Sequence, residues 1–291
     1  MTTLSVSPLE RYLFDLQGFL HLENALSAEE VAALNRRLDA IPVMEKGAWH
    51  GAVHAHSFGG KDGTNLQQIY EGGPEFEALI DHPSWIGRIK HFVGDQPGNF
   101  DLLHGPVFID EAFANLRGPG EAIGLHSGGH KPVKRTQYRF HNGEFACSQV
   151  NILMALTDIG PGDGATMLIP GSHKANLEHP QLRDHQIRPG EMTSVDGVTG
   201  AREVHMKAGD ALLFVDGIMH GSAQRTNPGQ RRIIVYRYGP SWGFFRHPYR
   251  PSRELLARLT PERRAIVWPH EHKLFPPGTQ PEGPVQAGNP A

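Results

Sequence analysis

The sequence predicts a mainly β fold with a helical buttress, a double-stranded β-helix of the jelly-roll, cupin-like sort. Two patterns carry that expectation. From about residue 100 onward, short apolar segments rich in β-branched and aromatic residues are separated by clusters of Gly, Pro and Asp, as in many short strands joined by turns. Before that point the apolar residues recur at helical spacing instead.

The helical part comes first in the chain. Ser27 followed three residues later by Glu30 forms a capping box, and Val31, Leu34, Leu38 and Ile41 make one apolar stripe, so a helix over residues 28–41 is predicted with that stripe packed on a sheet. Further helices are predicted over 74–80 and 83–93, as buttresses without chemistry. The clearest strands are predicted at 108–109, 146–156, 166–169, 211–215 and 232–238. The glycine-rich run Gly160-Pro161-Gly162-Asp163-Gly164 lacks the Lys-Ser/Thr ending and following helix of a phosphate loop, so it reads as a hairpin turn. No internal repeat is evident. The chain reads as one domain over residues 1–275 with an extended or disordered Pro/Gly-rich tail at 276–291.

Composition narrows the function. A net charge of −3 over 291 residues gives no basic face for a nucleic-acid polymer or a membrane surface. The N-terminal Met1-Thr2-Thr3-Leu4-Ser5-Val6-Ser7 has no basic region followed by an apolar stretch, and no run of about twenty apolar residues occurs, so a soluble protein is expected. The single cysteine, Cys147, cannot form an internal disulfide and reads as a small buried residue on an apolar strand; a cytoplasmic protein is expected.

Chemistry is suggested by the run Gly124-Leu125-His126-Ser127-Gly128-Gly129-His130. Mononuclear non-haem iron sites take a His and a carboxylate two residues apart, with a second His from a distant strand. Here His126 supplies the first ligand and Gly128 supplies nothing, which leaves one more open metal position, where an anion such as chloride could sit. The second histidine is His220, just beyond the apolar segment Ala211-Leu212-Leu213-Phe214-Val215. Eleven residues later (231 − 220 = 11) comes Arg231, suited to a bidentate grip on a carboxylate if it faces inward. Its neighbour Arg232 would point to the opposite face of the same strand, and either could be the inward one.

With these residues in place the chain resembles the phytanoyl-CoA dioxygenase family of Fe(II)/2-oxoglutarate enzymes. The likeness runs from Leu16-Gln17-Gly18-Phe19-Leu20, through Ile169-Pro170-Gly171-Ser172-His173-Lys174, to His220-Gly221-Ser222 and Arg231. The resemblance implies that His126 and His220 hold the iron, that Arg231 and Ser222 take the C5 carboxylate of 2-oxoglutarate, and that Gln149 and Asn151 face the cosubstrate or substrate. It also implies that O2 is consumed and succinate formed. Gly128 departs from the family, which has Asp there, and resembles the halogenases of the wider superfamily. In those a small residue leaves room for chloride, and a substrate radical collects chlorine instead of hydroxyl.

Three readings follow. The first is a halogenase acting on an unactivated sp3 carbon of a small molecule in natural-product biosynthesis. The second is a hydroxylase, with water at the open position or a carboxylate returned by Glu121 or Asp216; Asp216 could instead orient a ligating imidazole. The third is a non-catalytic binding protein on a jelly-roll scaffold. The loop bearing Lys131, Lys134, Arg135 and Arg139 could clamp an anionic substrate, and a nucleotide is the first expectation, with an amino acid or an alkaloid-like molecule open.

Overall fold

In the computed structural model, which describes residues 6–56, 60–100, 105–243 and 250–269, Ser7 opens the first helix, α1 (Pro8–Gln17), with a reciprocal cap. The Ser7 hydroxyl accepts from the Glu10 backbone N–H, and the Glu10 carboxylate accepts from that of Ser7. Gly18, at φ +86°, ends the helix and turns the chain into β1 (Phe19–Leu22). Ser27 and Glu30 cap α2 (Ala28–Ala40) as expected, and Val31, Leu34 and Leu38 are buried.

A three-stranded antiparallel meander not foreseen from sequence follows, β2 (Trp49–His50), β3 (Val53–His56) and β4 (Thr64–Gln67). The helix expected over 74–80 shortens to α3 (Pro74–Glu77). Beyond Glu77 the backbone tightens to i→i−3 bonds, and the Tyr236 and Tyr238 hydroxyls donate to the carbonyls of Phe76 and Ile80. Helix α4 (Ile86–Val93) starts three residues later than expected, because the His82 carbonyl accepts from both Trp85 and Ile86 in a tight turn.

The largest correction is β5 (Val107–Arg117), expected only at 108–109. Asp110, Glu111, Asn115 and Arg117 break its apolar run, yet all four are buried. A short hairpin, β6 (Phe140–His141) and β7 (Glu144–Phe145), precedes β8 (Val150–Ala155), every residue of which is buried. Then come β9 (Thr166–Leu168), the single-turn helix α5 (Leu182–His185), β10 (Arg202–Val204), β11 (Ala211–Val215), β12 (His220–Ser222) and β13 (Arg231–Pro240). Helices α6 (Arg253–Arg258) and α7 (Pro261–Val267) close the described chain. The tail expected at 276–291 lies outside the described residues.

The strands form the jelly roll the sequence predicts. An eight-stranded antiparallel sheet runs β1-β11-β8-β13-β5-β4-β3-β2, and a three-stranded sheet runs β10-β9-β12. Helices α4 and α7 pack on the large sheet, and α1 packs on α4 through Phe14 stacked on Phe92, with ring centroids 3.7 Å apart. Phe113, Leu153, Phe214, Ile233 and Val235 instead line a pocket together with residues of the small sheet. Cys147 is buried, which pushes its thiol well above the ordinary range. No helix among the described residues is long and apolar enough to cross a membrane.

Candidate metal and cosubstrate site

His126 and His220 come together because their segments pair. Each backbone N–H donates to the other residue's carbonyl, at 2.9 and 3.1 Å, so the His126 segment borders β12 in antiparallel fashion. Gly221 permits this approach: a Cβ there would lie 2.7 Å from the Gly124 carbonyl and 2.5 Å from Val195. The two imidazoles stand 4.1 Å apart between centroids. Each ring donates its Nδ1–H to the carbonyl two residues earlier, His126 to Gly124 at 2.8 Å and His220 to Ile218 at 2.7 Å. That fixes the tautomer and leaves both Nε2 lone pairs for a metal. Burial pulls both imidazoles below their ordinary range, His220 to about 4, so both are neutral at neutral pH.

The Pro-Gly-Ser-His-Lys block braces both ligand segments. The Ser172 hydroxyl accepts from the Met219 N–H at 2.7 Å and donates to the Ile169 carbonyl, while the Ser172 carbonyl accepts from the Gly129 N–H. His173 donates from Nε2 to the Asp15 carbonyl in α1.

Gly128 lies at φ +112°, a region that disfavours other residues, and Ser127 beside it is at +65°. The volume beside Gly128 is not empty. A Cβ added there would sit 2.6 Å from the His130 ring and 3.0 Å from Met219. The His130 ring is largely buried, and its nitrogens lack a hydrogen-bond partner among the described residues, Glu178 being 3.7 Å away.

Neither alternative carboxylate reaches the imidazoles. Glu121 accepts from the Gly118 N–H at 2.6 Å in its own turn. Asp216, fully buried, accepts from Arg135 at 2.7 Å and from the Asn151 amide at 3.2 Å. It does not orient the imidazoles through hydrogen bonds, since both Nδ1–H groups go to backbone carbonyls. Among the described residues no group of three or more His, Cys, Asp or Glu side chains could hold a metal.

His126 and His220 open onto a pocket that also contains Ser222, Arg117 and Arg231. Arg231 faces inward and is 2% exposed; Arg232 faces α2, where it pairs with Asp39 at 2.7 Å. The Arg231 guanidinium donates to the Gly164 carbonyl at 2.5 Å and to the Asn115 amide oxygen at 2.8 Å, and its Nε has no partner among the described residues. Burial, then the like charges of Arg117 and Arg225, lower its proton affinity. The Ser222 hydroxyl accepts from Arg117 at 2.6 Å and from the Ile123 N–H at 3.1 Å. On another wall, Arg237 pairs with buried Glu111 at 2.8 Å and lies over the Phe113 ring.

Gln149 and Asn151, expected to face the cosubstrate or substrate, are not among the residues that line this pocket. Both are fully buried because their amides serve carboxylates: Gln149 donates to Asp110 at 2.8 Å, and Asn151 to Asp216. The residues of the basic loop do not line the pocket either. Lys134 and Arg139 are exposed, Lys131 is half-buried away from the pocket, and Arg135 is held by Asp216 and by the Ser127 hydroxyl at 3.3 Å. Arg117, Asn115 and Arg237 were missed. The available signal was Asn115 and Arg117 two apart, hence on one face of the strand.

A profile of the family described as phytanoyl-CoA dioxygenase matches residues 14–233. The dioxygenase FUM3 of Gibberella moniliformis is 37% identical over 249 residues, 79% of this chain and 72% of that protein. The L-proline trans-4-hydroxylase of Streptomyces griseoviridis is 24% identical over 270 residues, 84% of this chain and 90% of that protein. Among solved structures, HygX from Streptomyces hygroscopicus, with nickel and 2-oxoglutarate bound, superposes with a TM-score of 0.65 at 22% identity, covering 86% of this chain and 94% of that one.

Proposed function

Because the chain belongs to the phytanoyl-CoA dioxygenase family of Fe(II)/2-oxoglutarate enzymes, we propose that it is the halogenating variant of that chemistry, chlorinating an sp3 carbon of a polar small molecule. His126 and His220 would hold the iron through their free Nε2 atoms, and Arg231 with Ser222 would take the C5 carboxylate of 2-oxoglutarate. The donor set fits: two neutral imidazoles with fixed tautomers, beside an inward guanidinium that lacks a carboxylate partner among the described residues. When bound, iron and 2-oxoglutarate supply oxidative decarboxylation of the cosubstrate by O2, coupled to removal of a hydrogen atom from the substrate.

The observation that carries the halogenase reading is the two-histidine cluster itself. Glu121 and Asp216 are committed elsewhere, so residue 128 leaves a coordination position that chloride can fill. The protein's share is orientation. The backbone carbonyls of Gly124 and Ile218 aim the imidazoles, and the apolar wall of Phe113, Leu153 and Phe214 keeps water out. Arg237, on the pocket wall and braced by Glu111, offers a donor to a polar substrate.

A hydroxylase is the second reading, favoured by the likeness to an L-proline hydroxylase and by the His130 ring beside Gly128. Anaerobic addition of Fe(II) and 2-oxoglutarate, followed by chloride, separates the two. A charge-transfer band that shifts saturably with chloride is expected; a band indifferent to chloride would leave the hydroxylase, and no band would overturn both.

A further inference from the structure

Arg117 and Arg231 face each other in register across β5 and β13, and neither is more than 2% exposed. Like charges directly opposite on neighbouring strands repel, and burial strengthens the repulsion. Nearby Arg225 is neutralised by Asp163 at 3.1 Å. The other two guanidiniums donate to neutral oxygens: Arg231 to the Gly164 carbonyl and the Asn115 amide, Arg117 to the Ser222 hydroxyl and the Asp62 carbonyl. Burial lowers Arg117 to about 10, so it keeps its proton at neutral pH, with the charges of Asp62 and Glu121 helping to hold it.

Ser222 adds direction. Its oxygen accepts from Arg117 and from the Ile123 N–H, so the hydroxyl's own hydrogen is left to point into the pocket. Two buried cations and one aimed hydroxyl converge on a wall shared with His126 and His220.

We infer that Arg117 is a second anchor for the cosubstrate's distal carboxylate, sharing its charge with Arg231 and turning the Ser222 hydroxyl toward it. The inference rests on the 2-oxoglutarate reading of this pocket. It makes the pair of arginines, and not Arg231 alone, the determinant that selects a 2-oxo acid with a second carboxylate.

The test is an anaerobic titration of the Fe(II)-loaded protein with 2-oxoglutarate and with 2-oxopentanoate, in which a methyl group replaces the distal carboxylate. Arg117→Met should lose about tenfold or more in affinity for 2-oxoglutarate, while its affinity for 2-oxopentanoate stays within about twofold. Arg117→Lys should recover part of the preference. Equal weakening toward both acids would mean a merely structural role and overturn the inference, as would unchanged discrimination. Absence of a band with either acid in the unsubstituted protein would overturn the cosubstrate reading itself, and the inference with it.

Discussion

Arg135 and Asp216 form an ion pair of 2.7 Å in which the carboxylate is fully buried and the guanidinium reaches the rim. The same guanidinium touches the Ser127 hydroxyl, so the loop after the first histidine is fastened to the turn before the second. Arg135→Ala would strip a buried carboxylate of its ion-pair partner, at a cost of about 3 kcal/mol. Urea unfolding should show that loss, and Asp216→Asn together with Arg135→Ala should be less harmful than Arg135→Ala alone. Equal stability of the single variant and the parent would contradict this role.

Ser172→Ala would remove the acceptor of the buried Met219 N–H. The expected loss is about 1–2 kcal/mol, accompanied by weaker Fe(II) binding, because Met219 precedes the ligating residue. Calorimetric titration with Fe(II) and thermal unfolding check both, and unchanged metal affinity would confine Ser172 to stability.

Gly128→Asp forces a side chain onto a backbone at φ +112° and against the His130 ring. A loss of about 1–3 kcal/mol is expected. Adding His130→Ala should return part of it. The spectral response to chloride should disappear in either background; its survival would argue that chloride does not occupy the position beside residue 128.

His173 sets an acid limit. Burial holds its imidazole at about 4 instead of 6.5. The unfolded chain therefore takes a proton that the folded chain refuses, and stability falls as pH drops from about 6.5 toward 4. His173 should account for about 3 kcal/mol at the acid end. In His173→Phe the pH slope of the unfolding free energy should flatten over that window; an unchanged slope would assign it to other groups.

What the sequence made legible follows from locality. β11 was predicted with its bounds because all five residues are apolar, and α2 because its cap and stripe lie close together, between Ser27 and Ile41. His126, His220, Ser222 and Arg231 were found by motif and spacing, and the structure brings all four to one pocket. β5 was cut short because four buried polar residues look like a turn until their partners are known, and those partners come from β4, β12, β13 and, for Asp110, from Gln149 just before β8. The amide partners of Gln149 and Asn151 were illegible for the same reason: alternation gave their face, but Asp110 and Asp216 lie far off in sequence.

The adjacent arginines of β13 make the chain's spacing a ruler. Arg231 faces the pocket and Arg232 the helix, and the pleat alone separates the two destinations. A one-residue insertion or deletion between Ser222 and Arg231 would exchange them if β13 slid in register, sending the helix-bound guanidinium inward and the pocket's outward. Such a change would leave composition, charge and the residue types of the site intact. The segment joining β12 to β13 therefore carries its information in its length, and sequence variation there should be freer in kind than in number.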